Sequence, residues 1–174
     1  MLFRSGNFKE CLNLVLKSEG GFVNHPQDPG GMTNLGVTKR VWEEYTGHEA
    51  DEKTMRGLTP EKVAPLYEQR YWRPTYCEVL PRGLDLLVFS MGINAGTGRS
   101  VKLLQQSIGC LPDGIIGPRT RELICASNTA TLIAKFSETR RQYYESLGKP
   151  MFIKGWLNRV DHEEAQALQM AKNG

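Results

Sequence analysis

Apolar side chains near the start of the chain recur at three- and four-residue intervals: Phe8, Cys11, Leu12, Val15 and Leu16. This spacing predicts an amphipathic helix with one apolar face. Gly20 and Gly21 follow, and glycine readily takes the left-handed conformation that ends a helix. Glu19 comes three residues after Leu16, so we expect its carboxyl group on the apolar face, at the C-terminal end of the helix.

Residues 20–37 lack a helical period and are rich in glycine, proline and asparagine, as is typical of turns. Short strands around Phe22-Val23 and Leu35–Val37 can pair there as a small ribbon.

Beyond this loop, helical patterns dominate. They predict helices after Thr38, from Thr59-Pro60 to before Pro74, over 84–94, around 101–108, from Pro118, around 132–147 and over 152–170. The predicted fold class is therefore mainly α, with a small β or loop lobe near the N-terminus.

Length, charge and hydropathy exclude several classes of protein. The 174 residues suit one domain, with room for a small subdomain. A net charge of +3 with interspersed acidic and basic residues does not indicate a nucleic-acid partner. No apolar run reaches the roughly 18 residues that span a bilayer, so stable membrane insertion is not expected. The first residues also lack the pattern of a signal peptide, so we expect synthesis in the cytoplasm.

The residues that commonly bind metals are scattered. The four cysteines include no C-x-x-C pair, and the three histidines lie far apart, so we predict free thiols and no zinc site. The glycine-rich loop has too few acidic residues for calcium and lacks the phosphate-binding pattern of nucleotide-binding loops. We therefore expect neither a metal nor a cofactor.

Two acidic residues flank the first part of the loop, Glu19 before a glycine pair and Asp28 within "DPGG". Burial and the negative end of the helix dipole both disfavour an ionised Glu19, so its pKa is expected to be raised. Such a group can act as a general acid, and Asp28 or Thr33 can supply the second polar group that glycoside cleavage needs. The alternative is that Glu19 is solvated or salt-bridged and that Asp28 only forms a turn.

The loop and a later segment resemble one known family. "EGGFVNHPQDPGGMTNLGVT", Glu19–Thr38, resembles the signature of the glycoside hydrolase 108 family of phage and prophage lysozymes. "GINAGTGRSVKLLQQSIGCLPDGIIGPRT", Gly92–Thr120, resembles the C-terminal part of that family, a predicted peptidoglycan-binding region. The resemblance implies a lysozyme-like fold and hydrolysis of the β-1,4 bond between N-acetylmuramic acid and N-acetylglucosamine.

The resemblance also implies roles for individual residues. Glu19 and Asp28 are the predicted catalytic pair, and the predicted substrate-binding residues are Gly30, Gly31, Thr33, Asn34 and Asn94. For Asn94, capping of a helix end is as well supported by the sequence as substrate binding. Residues 1–90 are predicted to form the catalytic region and residues 91–174 a helical peptidoglycan-binding region, packed together as one compact domain.

The expected partner is the glycan strand of peptidoglycan, and the expected protein is a monomeric endolysin. It would act on periplasmic peptidoglycan after release through a holin-type pore. Two alternatives remain open: a non-catalytic peptidoglycan-binding or secretion-assisting protein, and a lytic transglycosylase.

Three further features of the sequence have structural or functional interpretations. Several aromatic residues are candidates for stacking on sugars, although most are expected to pack in the core: Trp42, Tyr71, Trp72 and Trp156. Arg140-Arg141 is interpreted as a solvated helix face. "DGIIGPRT", Asp113–Thr120, is interpreted as a structural turn anchored by its two isoleucines.

Overall fold

The computed structural model describes residues 6–27 and 31–174. The chain forms two compact units, one of Phe8–Arg70 and one of Tyr71–Gly174 together with Asn7. We call them the N-terminal unit and the C-terminal unit. The predicted functional division into residues 1–90 and 91–174 stays a prediction.

The N-terminal unit combines four helices with a small sheet in its described part. The sheet is antiparallel, its strand order is β1-β2-β3, and Thr33 lies opposite Val23 on one side and Thr38 on the other. The elements are α1 (Phe8–Glu19), β1 (Val23–Asn24), β2 (Met32–Asn34), β3 (Val37–Thr38), α2 (Lys39–Thr46), α3 (Glu52–Arg56) and α4 (Pro60–Tyr67).

Local sequence signals account for most of these helices. The apolar stripe of α1 is buried as predicted, and Gly20 after it takes a φ of 75°. The Thr38 hydroxyl accepts a hydrogen bond from the Val41 amide at the start of α2. Thr59 caps α4 in the same way, with proline at the first helical position. The helix predicted after Thr59 is therefore confirmed at its start.

The structure differs from the sequence prediction in three places. The middle strand is Met32–Asn34, and Leu35-Gly36 forms a turn instead of belonging to a strand. The five-residue helix α3 is too short to show a helical period in the sequence. After Tyr67 the chain continues as a π-helical turn, Glu68–Trp72, instead of regular α-helix.

The C-terminal unit is helical and is organised around α5. A short 3₁₀ turn, Cys77–Val79, precedes five helices: α5 (Leu84–Ala95), α6 (Thr97–Ser107), α7 (Pro118–Ala126), α8 (Thr129–Ser146) and α9 (Pro150–Lys172). Helices α6, α8 and α9 pack on α5, which is buried from Leu84 to Gly92. The buried helix predicted over 84–94 is confirmed.

One charged residue of α8 lies in the core, contrary to the prediction of a solvated arginine pair. The Arg140 side chain is 0% exposed, and its Nη1 donates to Glu163 Oε2 at 2.9 Å. Ser90 Oγ donates to the other carboxylate oxygen of Glu163 at 2.8 Å. Only Arg141 lies at the surface, where it pairs with acidic residues of α9. The periodicity of α8 did not reveal the buried partner because Glu163 is on another helix.

The segment before α7 forms a structural turn as predicted, but the prediction that both isoleucines anchor it is wrong for Ile115. The buried Gln105 amide donates to Asp113 Oδ1 and accepts a hydrogen bond from the Gly114 amide. Hydrogen bonds from the Ile115 amide and from Gln105 hold the pKa of Asp113 below its ordinary value. Ile116 anchors the turn in the core, whereas Ile115 is exposed.

The observed class is mainly α with a small sheet near the N-terminus, as predicted. In the described ranges, no helix combines the length and the hydropathy needed to cross a bilayer.

Candidate active site

Glu19 is the last residue of α1, and its side chain is half-buried. Val15 and Leu16, on the same face one turn earlier, are buried. The carboxyl group therefore lies where the apolar face of α1 ends, beside the unsatisfied carbonyl groups of the helix C-terminus. The raised pKa expected from the sequence position of Glu19 stays a prediction.

A two-residue turn between β2 and β3 lies next to Glu19. Its residues Leu35 and Gly36 have φ values of 51° and 75°, as in the type I′ turns of tight hairpins. For a leucine this conformation costs about 1 kcal/mol or more. The Tyr67 hydroxyl donates to the Leu35 carbonyl at 2.7 Å, and Tyr67 is 1% exposed. A buried hydrogen bond thus helps to hold the strained turn in place.

Gly36 brings the carboxyl group, the tyrosine and the turn together. A Cβ atom at residue 36 would lie 2.6 Å from Tyr67 Oη and 3.0 Å from Glu19 Oε2. Real Cβ atoms do not approach other atoms so closely, so only glycine allows this packing. The Glu19 carboxylate is therefore held against the backbone of the turn, close to the Tyr67 hydroxyl.

Replacing Gly36 with alanine is expected to lower the free energy of unfolding by about 2 kcal/mol. The methyl group has to enter space occupied by Tyr67 and Glu19, at a positive φ that alanine disfavours. Urea unfolding followed by circular dichroism measures the change. The matched control is Gly155→Ala, because a Cβ atom there has no neighbour within 4 Å and the residue lies inside α9. Equal stability of the two variants would contradict the proposed packing.

The other loop residues predicted from the sequence lie on or near the sheet. Thr33 is half-buried in β2, and Gly31, just before β2, has a φ of 65°. Asn34 is 6% exposed, and its Nδ2 donates to the Met55 carbonyl at 2.9 Å. This bond gives Asn34 a structural role, joining β2 to α3. Contact of these three residues with substrate stays a prediction, and the predicted Asp28 and Gly30 lie outside the described residues.

Asn94 belongs to the C-terminal unit, in the last turn of α5. Its side chain is exposed, its Oδ1 accepts from Arg159 Nη1 at 2.7 Å, and its Nδ2 donates to Ser90 Oγ at 3.4 Å. The amide is thus tied to α9 and to its own helix. No side chain caps α6, which starts after Gly96. A role in substrate binding stays a prediction.

Sequence reasoning missed Tyr67 and Gly36 as members of this site. Tyr67 lies inside the helix predicted after Thr59, at a core position like its apolar neighbours, although a buried tyrosine usually needs a partner for its hydroxyl. Gly36 lies between two short β-type segments, where a lone glycine often marks a tight turn or a close backbone approach. Tyr67 and Gly36 each carry a signal in the sequence, but neither signal shows that Glu19 lies beside them.

The described ranges contain no group of three histidine, cysteine or acidic residues placed to bind a metal ion. All four cysteines are free thiols, with Cys11 and Cys77 buried. Burial raises the pKa of the Cys77 thiol well above its ordinary value, so this thiol stays protonated.

Comparisons with known proteins identify the family of this chain. The family described as glycosyl hydrolase 108 matches residues 12–96, and the family described as a predicted peptidoglycan domain matches residues 99–161. The solved "Structure of Brucella abortus SagA" is 32% identical in sequence and superposes with a TM-score of 0.81. The match covers 95% of this chain and 96% of that chain. No curated protein matches this chain significantly.

The similarity extends over nearly the whole chain, and the fold is lysozyme-like and mainly α. The matched families indicate a glycosidase that acts on peptidoglycan. The chain belongs to the glycosyl hydrolase 108 family.

Proposed function

We propose that the protein is an N-acetylmuramidase that hydrolyses the β-1,4 bond between N-acetylmuramic acid and N-acetylglucosamine, with Glu19 as the general acid. The observation that carries this proposal is the position of the Glu19 carboxyl group. It is half-buried at a helix C-terminus and packed against Gly36, a position with no room for a Cβ atom. A general acid must present its proton at one place, and this packing restricts where the Glu19 carboxyl group can lie.

The reaction also needs a group that activates water or stabilises the positive charge on the sugar. Asp28 is our candidate, as the second acid of the glycine-rich loop, with Thr33 and Gly31 near it in the sequence. In the proposed mechanism Glu19 gives its proton to the glycosidic oxygen as the bond breaks. Water then adds to the sugar carbon on the muramic side and loses a proton to the Asp28 carboxylate or back to the ionised Glu19. The loop glycines allow backbone amide groups to approach the substrate closely.

The products of the reaction test this proposal. Purified murein sacculi digested by the protein are expected to release muropeptides that end in a reducing N-acetylmuramic acid. Mass spectrometry measures this directly, because a lytic transglycosylase forms a 1,6-anhydro ring and its products are lighter by one water molecule. A heat-inactivated sample of the protein serves as the control.

Each outcome of the digestion has a definite meaning. Reducing ends support hydrolysis, whereas anhydro ends would replace the muramidase by a transglycosylase. Intact sacculi that sediment with the protein would favour a non-catalytic binding protein instead.

We also propose that the protein serves as an endolysin of phage or prophage origin. In this proposal it is made in the cytoplasm, passes the inner membrane through a holin-type pore and acts on periplasmic peptidoglycan as a monomer. The resemblance of Glu19–Thr38 to phage and prophage lysozymes supports this role. Lysis that depends on a co-expressed pore-forming protein, and fails without one, is the expected behaviour.

A further inference from the structure

A pocket of about 170 Å³ lies in the C-terminal unit, where the end of α5 meets α8 and α9. Its wall is aromatic: the Tyr144 and Trp156 rings stack with centroids 5.2 Å apart, and the Tyr143 ring lies 5.6 Å from that of Tyr144. Phe152 extends the stack on the far side of Trp156, at 5.7 Å, and is 54% exposed. Tyr144 is buried, Tyr143 and Trp156 are half-buried, and Phe152 is the exposed end of the group.

Two arginines stand beside this aromatic wall. Arg159 lines the pocket, and the guanidinium of Arg99 lies 5.3 Å from the centre of the Tyr143 ring. Across residues 6–27 and 31–174, neither arginine forms an ion pair with a carboxylate, and the hydrogen bond of Arg159 goes to the neutral Asn94 amide. The pocket therefore has an uncompensated positive charge at its rim.

Hydrogen bonds that run from the surface to the core hold this rim in place. Arg159 is bonded to Asn94, Asn94 to Ser90, and Ser90 to the carboxylate of Glu163. The last member, Arg140, is 0% exposed and pairs with Glu163 in the core. The arginine at the surface is thus positioned by a chain of contacts that begins in the interior, which reduces the entropy lost when a ligand binds.

The size and chemistry of the pocket select one class of ligand. Its volume is below the 300–1,000 Å³ typical of sites for whole small molecules, so it takes one group of a larger polymer. Guanidinium groups bind carboxylates through charge-assisted hydrogen bonds, and aromatic rings pack against the apolar parts of a peptide. The pocket residues from Tyr143 onward lie inside the matched peptidoglycan domain, residues 99–161. In peptidoglycan, carboxylates are carried by the peptides that extend from the muramic acid residues.

The geometry points to a second peptidoglycan-binding site, at which Arg159 binds a carboxylate of the acidic stem peptide and Trp156 packs against its apolar part. The pocket belongs to the C-terminal unit, whereas Glu19 belongs to the N-terminal unit. It provides a contact with the peptide, whereas Glu19 acts on the sugar chain. Two contacts on one polymer raise the effective concentration of substrate at the enzyme.

Binding of two soluble probes to the full chain tests this assignment. One probe is a disaccharide muropeptide, N-acetylglucosaminyl-N-acetylmuramic acid with its stem peptide, and the other is the same disaccharide with its lactyl carboxyl group amidated in place of the peptide, so that it carries no carboxylate. Neither probe contains the bond that the proposed muramidase cleaves. Isothermal titration calorimetry is expected to show that Arg159→Ala weakens muropeptide binding about tenfold, as the loss of one charge-assisted hydrogen bond implies. Binding of the peptide-free disaccharide is expected to stay unchanged.

Lys154→Ala is the matched control, because it removes the same charge from an exposed position of the same helix. It is expected to bind both probes as the wild type does. Trp156→Phe keeps an aromatic ring and is expected to weaken muropeptide binding less than Arg159→Ala. Arg159→Lys keeps the positive charge and is expected to bind the muropeptide partly. Partial binding by this variant would show that the loss in Arg159→Ala does not come from misfolding.

Two results would overturn the assignment: equal muropeptide binding by Arg159→Ala and Lys154→Ala, or equal losses for both probes. Failure of the muramidase proposal has a different signature. Sacculi would then yield no reducing fragments, while the difference between the two probes would persist.

Discussion

Glu19→Gln is expected to lower the rate of peptidoglycan hydrolysis about a thousandfold, within the range that general acid catalysis contributes. Glutamine has nearly the same shape as glutamate and can fill the same half-buried space next to Gly36. The amide cannot donate an acidic proton to the glycosidic oxygen, so bond cleavage loses its catalyst. The rate is measured as the release of soluble muropeptides from purified sacculi.

A control variant isolates the chemical effect from the change of charge. Glu49→Gln makes the same substitution at an exposed position of the N-terminal unit and is expected to retain the wild-type rate. Glu19→Gln is expected to unfold at or above the wild-type midpoint, because it removes a carboxylate from an unfavourable position at a helix C-terminus. Hydrolysis by Glu19→Gln at the wild-type rate would exclude Glu19 as the general acid.

The position of Glu19 was predictable because the forces that fix it are local. The apolar stripe of α1 determines which face is buried, and Gly20 determines where the helix ends. Three-residue spacing from Leu16 then places the glutamate on that face. None of these steps needs knowledge of the rest of the chain.

The support around Glu19 was not predictable because it depends on contacts distant in sequence. The Tyr67 hydroxyl reaches the Leu35 carbonyl across 32 positions. Leu35 also adopts a conformation that its own propensity disfavours, so local reasoning favoured a strand at that position. Strained backbone of this kind persists only where the surrounding structure fixes it, and it is often found at active sites.

The same reason explains the wrong interpretation of Arg140. Adjacent arginines are usually solvated, and nothing on α8 indicates that one of them meets Glu163 from α9. Two charges 23 positions apart in sequence can be buried together only after both helices have packed. Arg140 Nε and Nη2 have no hydrogen-bond partner within the described ranges. The ion pair with Glu163 is therefore the main compensation for burying this charge.

Glu163→Gln is expected to lower the free energy of unfolding by about 3–5 kcal/mol, because it leaves the charge of Arg140 buried without its counter-ion. Urea unfolding followed by circular dichroism measures the loss. Glu122→Gln provides the matched control, since Glu122 pairs with Arg119 at 3.0 Å while both side chains are more than two-thirds exposed. For this surface pair we expect a change of less than about 1 kcal/mol. Equal effects of the two substitutions would show that burial does not strengthen the pair.

A double variant separates the role of the ion pair in folding from its role at the pocket. Arg140→Met with Glu163→Leu removes both charges and is expected to recover most of the lost stability, as apolar replacements of buried pairs often do. Ser90 still loses its carboxylate acceptor, so Asn94 and Arg159 lose part of their support. We therefore expect the double variant to fold stably and to bind the muropeptide more weakly than the wild type. Full recovery of both properties would assign the pair to folding alone, and the chain of contacts from Arg140 to Arg159 would then not contribute to binding.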